Sequence, residues 1–406
     1  MERIQLDQRK TMLKRTYKIG IVGTGFIARG LMNVLTQSYS GRLAVSRVLT
    51  RRDFAIDDLP LDRSLLTSDV EDVIKASDLV VISTGDAIHG AAAAEKILKA
   101  GLPIVTMDAE LQLTCGTELS KLGRFVEAEG DQPGVLAALV EDARAMGFRP
   151  LVYGNVKGFL NLNPAFADMG YWAKKQGQRL QQVVAMTDGT KVQIEQALVA
   201  NAFGAKIVGR GLSAIPCKNI GEGALRLARM SEEMNQPISD YIVCAGDTGS
   251  VFMVSTYEGS HQSALQYMKL GPGPHYLLTR PFHLCYLEIP KTILRVLEHR
   301  DWDFNNGRAP SAQVVAVAKQ KLQAGSKIAA ALGSFEFRGE AVRIADYPGA
   351  VPICLLQNAV LKRDLDEGQI VDFKDVSLPE SRALAMWQKT VRETVAEREV
   401  EPVRVR

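Results

Sequence analysis

The stretch "YKIGIVGTGFIARGLMNVL", residues 17–35, constrains the fold more than any other part of the chain. A short β-branched run leads into two glycines, and Ile27, Leu31 and Leu35 follow at helical spacing. That order reads as strand, tight turn and helix. The glycines fall as Gly23-x-Gly25-x-x-Ala28, a dinucleotide fingerprint with alanine in third place. Gly23 permits the turn, Gly25 lets a pyrophosphate approach the backbone, and the helix N-terminus offers unpaired N–H groups to that anion. The pattern continues in "LAVSRVLT" (43–50), "DLVVIST" (78–84) and "PIVTMD" (103–108), which read as further strands of an alternating βα unit. An α/β Rossmann dinucleotide-binding domain is expected over residues 17–150, behind a loose arm at 1–16. Gly23, Gly25, Phe26 and Ile27 are candidate cofactor contacts, joined by Ser83, Thr84 and Gly85 in the loop that meets the nicotinamide ribose.

The end of "LAVSRVLT" bears on which cofactor. An NAD enzyme usually places a carboxylate there to bind the ribose 2′-hydroxyl. Here the chain reads Thr50-Arg51-Arg52. A guanidinium fork suits a 2′-phosphate, so NADP is favoured and NAD remains possible.

After Leu151 polar clusters alternate with glycines, in "GNVKGF", "TDGTKVQIEQALVANAFG" and "LGPGPHYLLTRPFHLCYLEIP". A second, α+β domain is expected over 151–305, with loops facing the cofactor. "PFHLCYLEIPKTILRVLEH" has a helical apolar pattern suited to packing back on the first domain, and "RDWDFNNGRAP" reads as a linker. Beyond it lies an internal echo. Lys319-x-x-Leu322-x-x-Gly325 recurs as Lys362-x-x-Leu365-x-x-Gly368. Two copies are too few for a solenoid, so a small β domain with two similar lobes is expected over 312–380. Residues 381–406 read as a helix with a frayed end.

At 406 residues the chain is longer than one core usually serves. Its 46% hydrophobic and 23% charged residues are those of an ordinary globular protein, and a net charge of +3 gives no reason to expect nucleic acid or an acidic membrane as partner. Five scattered cysteines (115, 217, 244, 285, 354) form no CxxC pair, which fits a reducing compartment. No apolar run approaches the ~20 residues needed to span a bilayer. The polar, basic start lacks the apolar stretch of a secretion signal, and a cytoplasmic location is expected.

Several stretches together resemble a known family. "IVTMDAELQLTCGTELSKLG" is similar to the strand and following segment of homoserine dehydrogenases. "GNVKGFLNLNP", "TDGTKVQIEQALVANAFG", "LGPGPHYLLTRPFHLCYLEIP" and "LKRDLDEGQIVDFKDVSL" resemble homoserine-dehydrogenase-like oxidoreductases that carry a C-terminal SAF (antifreeze-like, β-clip) domain. Among these is the deoxyxylulose-5-phosphate reductoisomerase-like group. The resemblance implies an NADP-dependent oxidoreductase, a catalytic and dimerisation role for the second domain, a β-clip domain at 312–380, and a homodimer or larger homo-oligomer. There is one departure: the family's lysine segment after the strand reads Asp108-Ala109-Glu110 here. The reversed charge argues against homoserine oxidation, and Glu110 becomes a candidate at the cofactor.

Carbonyl reduction needs a group to stabilise the developing alkoxide, one to supply a proton, and others to hold the substrate. Lys157, between glycines, and Lys191, in "TDGTK", are the candidate cationic donors. Asp188 and Glu195 flank Lys191, and Lys191 and Glu195, four apart, share a helix face. Asp188 and Glu195 could pair with the lysines, or gather with Glu110 round a divalent Mg or Mn ion. His283 is a further catalytic candidate. Arg280, suited to a phosphate or carboxylate, joins Asn155 and Asn201 as candidate substrate contacts. His89 and His275 are weaker candidates, and Cys285 reads as packing. The reading is an NADP-dependent oxidoreductase of a small sugar or sugar-phosphate carbonyl. By resemblance it extends to reductoisomerisation of 1-deoxyxylulose 5-phosphate to methylerythritol 4-phosphate. Two other readings stay open: a reductase or dehydrogenase of a nucleotide-linked sugar, and a non-catalytic sugar-binding or assembly protein.

Overall fold

A computed structural model of the protein describes residues 15–52, 62–246 and 249–400. Nearly all of the expected N-terminal arm lies outside these residues. Six strands open the fold: β1 (Tyr17–Val22), β2 (Leu43–Leu49), β3 (Leu66–Thr67), β4 (Leu79–Ile82), β5 (Ile104–Thr106) and β6 (Phe125–Glu127). They form one parallel sheet in the order β3-β2-β1-β4-β5-β6. The helices α1 (Phe26–Ser38), α2 (Val70–Ala76), α3 (Ala87–Lys99) and α4 (Ala109–Ser120) link its strands. Strands covered on both faces read as unbroken apolar runs, and all four residues of β4 are buried. The strand order reverses between β1 and β4, which is where a doubly wound sheet opens a crevice at its carboxyl edge.

The second sheet begins earlier than the sequence suggests. Helix α5 (Gln132–Ala145) packs on the second sheet, and β7 (Phe148–Lys157) runs across the expected boundary at residue 150. The change of texture after Leu151 is thus mid-strand and marks no boundary. There follow α6 (Phe166–Gln176), α7 (Leu180–Thr187), α8 (Thr190–Phe203), β8 (Ile215–Cys217) and α9 (Ile220–Met234). Then come β9 (Ile238–Cys244), β10 (Val251–Tyr257), α10 (Gln262–Tyr267) and β11 (Tyr276–Arg280). The sheet order is β11-β10-β7-β9-β8, with β7, β9 and β8 parallel and β10 and β11 antiparallel to their neighbours. Alternation along β7 divides its side chains. Val152 and Val156 join Ala224 and Leu227 of α9 in one apolar cluster, while Asn155 reaches α8 on the other face. Lys157 shares the parity of Asn155, so the last residue of β7 belongs to the α8 face.

Helix α11 (Ile289–Leu297) and the turn before it pack on α1, as the apolar pattern predicts. Tyr286 of that turn lies against Gly30, where a Cβ would meet the ring at 2.3 Å. The expected linker runs as a strap along β6, with Trp302, Phe304 and Asn306 buried and Asp301, Asp303 and Arg308 exposed. Trp302 Nε1 donates to the Glu127 carbonyl at 2.7 Å, and the Glu127 N–H donates to the Phe304 carbonyl at 2.7 Å.

Two small antiparallel sheets follow. One pairs β12 (Ala312–Ala318) with β14 (Phe337–Arg343), and the other joins β13 (Lys327–Ala330), β15 (Gln357–Leu361) and β16 (Val376–Ser377). The two sequence echoes pair with each other. Leu322 and Leu365 exchange both backbone hydrogen bonds at 2.9 Å. The Gly325 N–H reaches the Leu361 carbonyl at 2.8 Å, and the Gly368 N–H reaches the Ala318 carbonyl at 2.9 Å. Each glycine thus bonds the residue just before the other copy's lysine. Strands β12 and β14 rest on α8, and α12 (Arg382–Val400) crosses back over α3 and α4. It is tied there by Arg382–Glu95 and Lys389–Glu118 pairs, each at 2.6 Å. Among the described residues no helix is long and apolar enough to cross a membrane.

Candidate active site

The carboxyl edge of the first sheet forms a cradle. Gly23 has φ +115°, and a Cβ on it would stand 2.6 Å from the Ser83 carbonyl oxygen, so the loops after β1 and β4 meet only because the side chain is missing. A Cβ on Gly25 would meet nothing within 4 Å. Helix α1 starts there without a side-chain cap, leaving its first N–H groups toward that space. Ser83 Oγ is buried with no hydrogen-bond partner. A dinucleotide would fit these features: its pyrophosphate would meet the N–H groups beside Gly25, and Ser83 would gain a polar neighbour. Phe26 is exposed at the start of α1, edge-on to Tyr286, and Ile27 is partly buried behind it. Thr50 Oγ1 lies 3.3 Å from Thr24 Oγ1 and joins the loops after β1 and β2.

Asp108 holds the loop after β4. Its Oδ2 accepts from the Thr84 N–H (2.6 Å), Thr84 Oγ1 (2.7 Å) and the Gly85 N–H (3.0 Å). Burial and the nearby Glu110 charge push this carboxyl up to about 6, against the pull of those hydrogen bonds.

Next to it lies a cluster gathered from four elements. Lys191 Nζ, near the start of α8, is 3.1 Å from Asp131 Oδ2, 3.2 Å from Glu110 Oε1 and 3.9 Å from Glu195 Oε1. Burial works to lower its pKa, but the Asp131 and Glu110 charges lead those that outweigh it and hold the amine well above the ordinary lysine range. It is therefore a fixed positive charge and no base. Burial also works to raise Asp131, yet Lys191 and His283 keep that carboxylate below its usual range. Glu195 goes the other way: burial and the Asp131 charge push it up to about 8, only partly offset by Lys191 and Lys157. Asn155 Nδ2 donates to Glu195 Oε2 and to Gln132 Oε1, both at 3.0 Å. Below the cluster, Glu127 is fully buried with both carboxylate oxygens unpartnered. Burial, then Asp131, raises it well above the ordinary range.

Lys157 and His283 border this cluster. Lys157 acts electrostatically on Glu195, and among the described residues its amine has no ion-pair partner within 4.0 Å. His283 Nδ1 is 2.9 Å from the Gly249 carbonyl oxygen. A carbonyl only accepts, so Nδ1 carries the hydrogen and Nε2 keeps the lone pair in the neutral ring. Cys285 is pushed up to about 11 by burial and the Asp131 charge, and it stays a thiol.

Four sequence candidates are engaged elsewhere. Asp188, just before α8, pairs with Lys319 of β12's outgoing turn at 2.7 Å, both nearly free of solvent, so it does not join Lys191. The Asn201 side chain is spent on Asn306, Ser311 and Ala312, with all four bonds at 2.9–3.0 Å, leaving no group for a substrate. Arg280 pairs with Glu288 and lies 3.9 Å from the buried Glu129. Arg51 Nη2 pairs with Asp86 Oδ2 at 3.0 Å, while Arg52 contacts Thr50 through its backbone. The alternative in which the carboxylates gather round a metal also meets a different arrangement. The Lys191 ammonium fills the centre of Glu110, Asp131 and Glu195, and among the described residues no group of three His, Cys, Asp or Glu is placed to hold an ion.

Two family models match in sequence. Residues 23–124 match "Homoserine dehydrogenase, NAD binding domain", and residues 130–289 match "Oxidoreductase DRL, catalytic domain". The chain is an NAD(P)-dependent oxidoreductase. No curated protein matches it. Among solved structures, homoserine dehydrogenase from S. aureus is 12% identical, with TM-score 0.40, over 81% of this chain and 93% of that one. A hyperthermophilic archaeal homoserine dehydrogenase in complex with NADPH is 14% identical, with TM-score 0.42, over 72% and 100%. The scyllo-inositol dehydrogenase of Lactobacillus casei, with bound NAD(H) and scyllo-inositol, is 13% identical, with TM-score 0.41, over 72% and 92%. Likenesses this distant carry no argument about the site.

In this oxidoreductase, sequence reasoning missed Asp131, Gln132, Glu127 and Asp86. Asp131 and Gln132 had a legible signal: "GDQPG" places an aspartate before Gln-Pro, an N-cap with proline in the first turn, at the carboxyl end of β6. Asp86 caps α3 through the Ile88 and His89 N–H groups, and a cap is also readable in "GDAIH". Nothing local marks Glu127.

Proposed function

We propose that the oxidoreductase reduces a carbonyl of a small sugar or sugar phosphate, or oxidises the matching alcohol, with NADP(H) preferred. When bound, the cofactor supplies or accepts the hydride. What supports this reading is a Lys157 amine that has no ion-pair partner among the described residues and acts electrostatically on a Glu195 carboxyl that stays protonated at neutral pH. In this reading Lys157 stabilises the oxygen on which negative charge develops. Glu195 holds a proton that can pass to that oxygen, oriented by Asn155, which donates to its Oε2. Lys191 keeps Asp131 ionised and fixes the shell round Glu195. Reductoisomerisation would call for a divalent ion to chelate a hydroxyketone. An ammonium already occupies the centre of the acidic group, so plain carbonyl reduction is the version we put forward.

The test is Lys157→Met, read by NADPH fluorescence titration and by turnover on a panel of sugar phosphates and nucleotide sugars. NADPH affinity should stay nearly constant while turnover falls by ~10²-fold or more, as for other charged transition-state donors. Near-normal turnover in the variant would remove Lys157 from the mechanism.

A further inference from the structure

The Arg51–Asp86 contact brings a carboxylate to the place where the sequence shows only arginines. Arg51 follows β2, the strand whose end meets the adenosine ribose in this fold. Asp86 comes from the loop after β4, the loop expected from the sequence to meet the nicotinamide ribose; its contact with Arg51 brings this part of the loop to the end of β2 instead. Its position is well determined: Oδ1 accepts from the Ile88 and His89 N–H groups at 3.1 Å, and its own N–H donates to Thr84 Oγ1 at 3.2 Å. Thr84 is in turn gripped by Asp108. The carboxylate also caps the N-terminus of α3. Arg51, by contrast, is 63% exposed in its side chain and meets Asp86 through one terminal nitrogen.

We propose that Asp86 is a specificity-determining residue for the cofactor, limiting the preference for a 2′-phosphate over a 2′-hydroxyl. The proposal rests on the reading that Arg51 meets the adenosine ribose. A 2′-phosphate must share Arg51 with Asp86 and bear its like charge. A 2′-hydroxyl instead finds an acceptor in the same carboxylate. The pair thus offers one partner to each cofactor, and selectivity is set by their balance.

The experiment is fluorescence titration of NADPH and NADH against the full chain and two variants. Asp86→Asn keeps an oxygen for the α3 cap and removes the charge. The ratio of NADH to NADPH dissociation constants should rise by about threefold or more at low salt, and the rise should shrink as salt screens the pair. An unchanged or lower ratio overturns the proposal. Asp86→Ser, also a capping residue, should move the ratio in the same direction, which controls for damage to the helix start. Arg51→Ala tests the underlying reading separately: it should lower the ratio. If Arg51→Ala leaves the ratio alone, the reading of Arg51 fails, whereas the Asp86→Asn result still decides whether Asp86 discriminates.

Discussion

Lys319 closes on Asp188 at 2.7 Å, and neither side chain has more than a trace of solvent contact. The aspartate precedes the helix that carries Lys191 and Glu195, and the lysine belongs to the small β unit. The active-site helix is thus anchored from the C-terminal third of the chain. Removing one partner strands a buried charge, so Lys319→Met should destabilise the protein by about 3–5 kcal/mol. Adding Asp188→Asn should recover part of that loss. Urea denaturation of Lys319→Met, Asp188→Asn and the double variant checks it, and additive losses would sink the idea.

The same anchoring bears on truncation. Strands β12 and β14 lie on α8, where Thr190 Oγ1 accepts from the Gly339 N–H at 2.8 Å and Gln193 Oε1 from the Ala341 N–H at 2.9 Å. A chain ending near Ala309 should expose that face and lose its cooperative thermal transition. A truncated chain that melts sharply and binds NADPH would contradict this.

Glu195 predicts a pH profile. With its carboxyl at about 8, the acid is loaded at neutral pH and empties above it, so the rate of carbonyl reduction should fall as pH rises through about 8. Glu195→Gln should cost ~10²-fold or more in turnover and abolish that alkaline limb. A limb that survives in the variant belongs to another group.

Glu127 predicts a stability trend. Unfolded, its carboxyl titrates near 4.5; folded, it is held well above that. Above 4.5 the unfolded chain releases the proton that the folded chain keeps, so this group's contribution to stability declines as pH rises toward the folded value. Glu127→Gln should therefore raise Tm more at about pH 8 than at about pH 5. Equal shifts at both would show that the folded carboxyl ionises normally.

The two turn glycines should respond differently. Gly25 has φ −76° and open space, so Gly25→Val should leave Tm nearly unchanged while cutting NADPH affinity more than about tenfold, since a branched side chain fills the pyrophosphate space. Gly23→Ala meets the Ser83 carbonyl and a left-handed backbone, and should lower Tm as well. A Gly25→Val variant that binds NADPH normally would move the cofactor elsewhere.

What was legible in the sequence was local. The strand, turn and helix at 17–35 follow from spacing and glycine chemistry alone, and so does the shared face of Lys191 and Glu195. The partners of Asp188, Asn201 and Arg280 were not legible, because each lies on an element distant in the chain. Type and spacing identify a group able to bind; they do not tell whether another part of the chain has already engaged it. Asp131 was missed for a different reason: it reads as an ordinary helix cap, and only the fold places that cap beside Lys191.

The crossed bonding of the two echoes has a consequence for how the C-terminal third arises and breaks. Gly325 is fastened to the carbonyl ahead of Lys362, and Gly368 to the carbonyl ahead of Lys319. Each copy closes its own tight turn, Ser326 N–H to the Gln323 carbonyl and Gln369 N–H to the Asp366 carbonyl, but its glycine N–H is satisfied by the other copy, so half of this unit is not a smaller version of it. A break in the connection between the copies would be tolerated while both remain in place, whereas deleting either copy would undo its counterpart and release Lys319 from the helix it anchors.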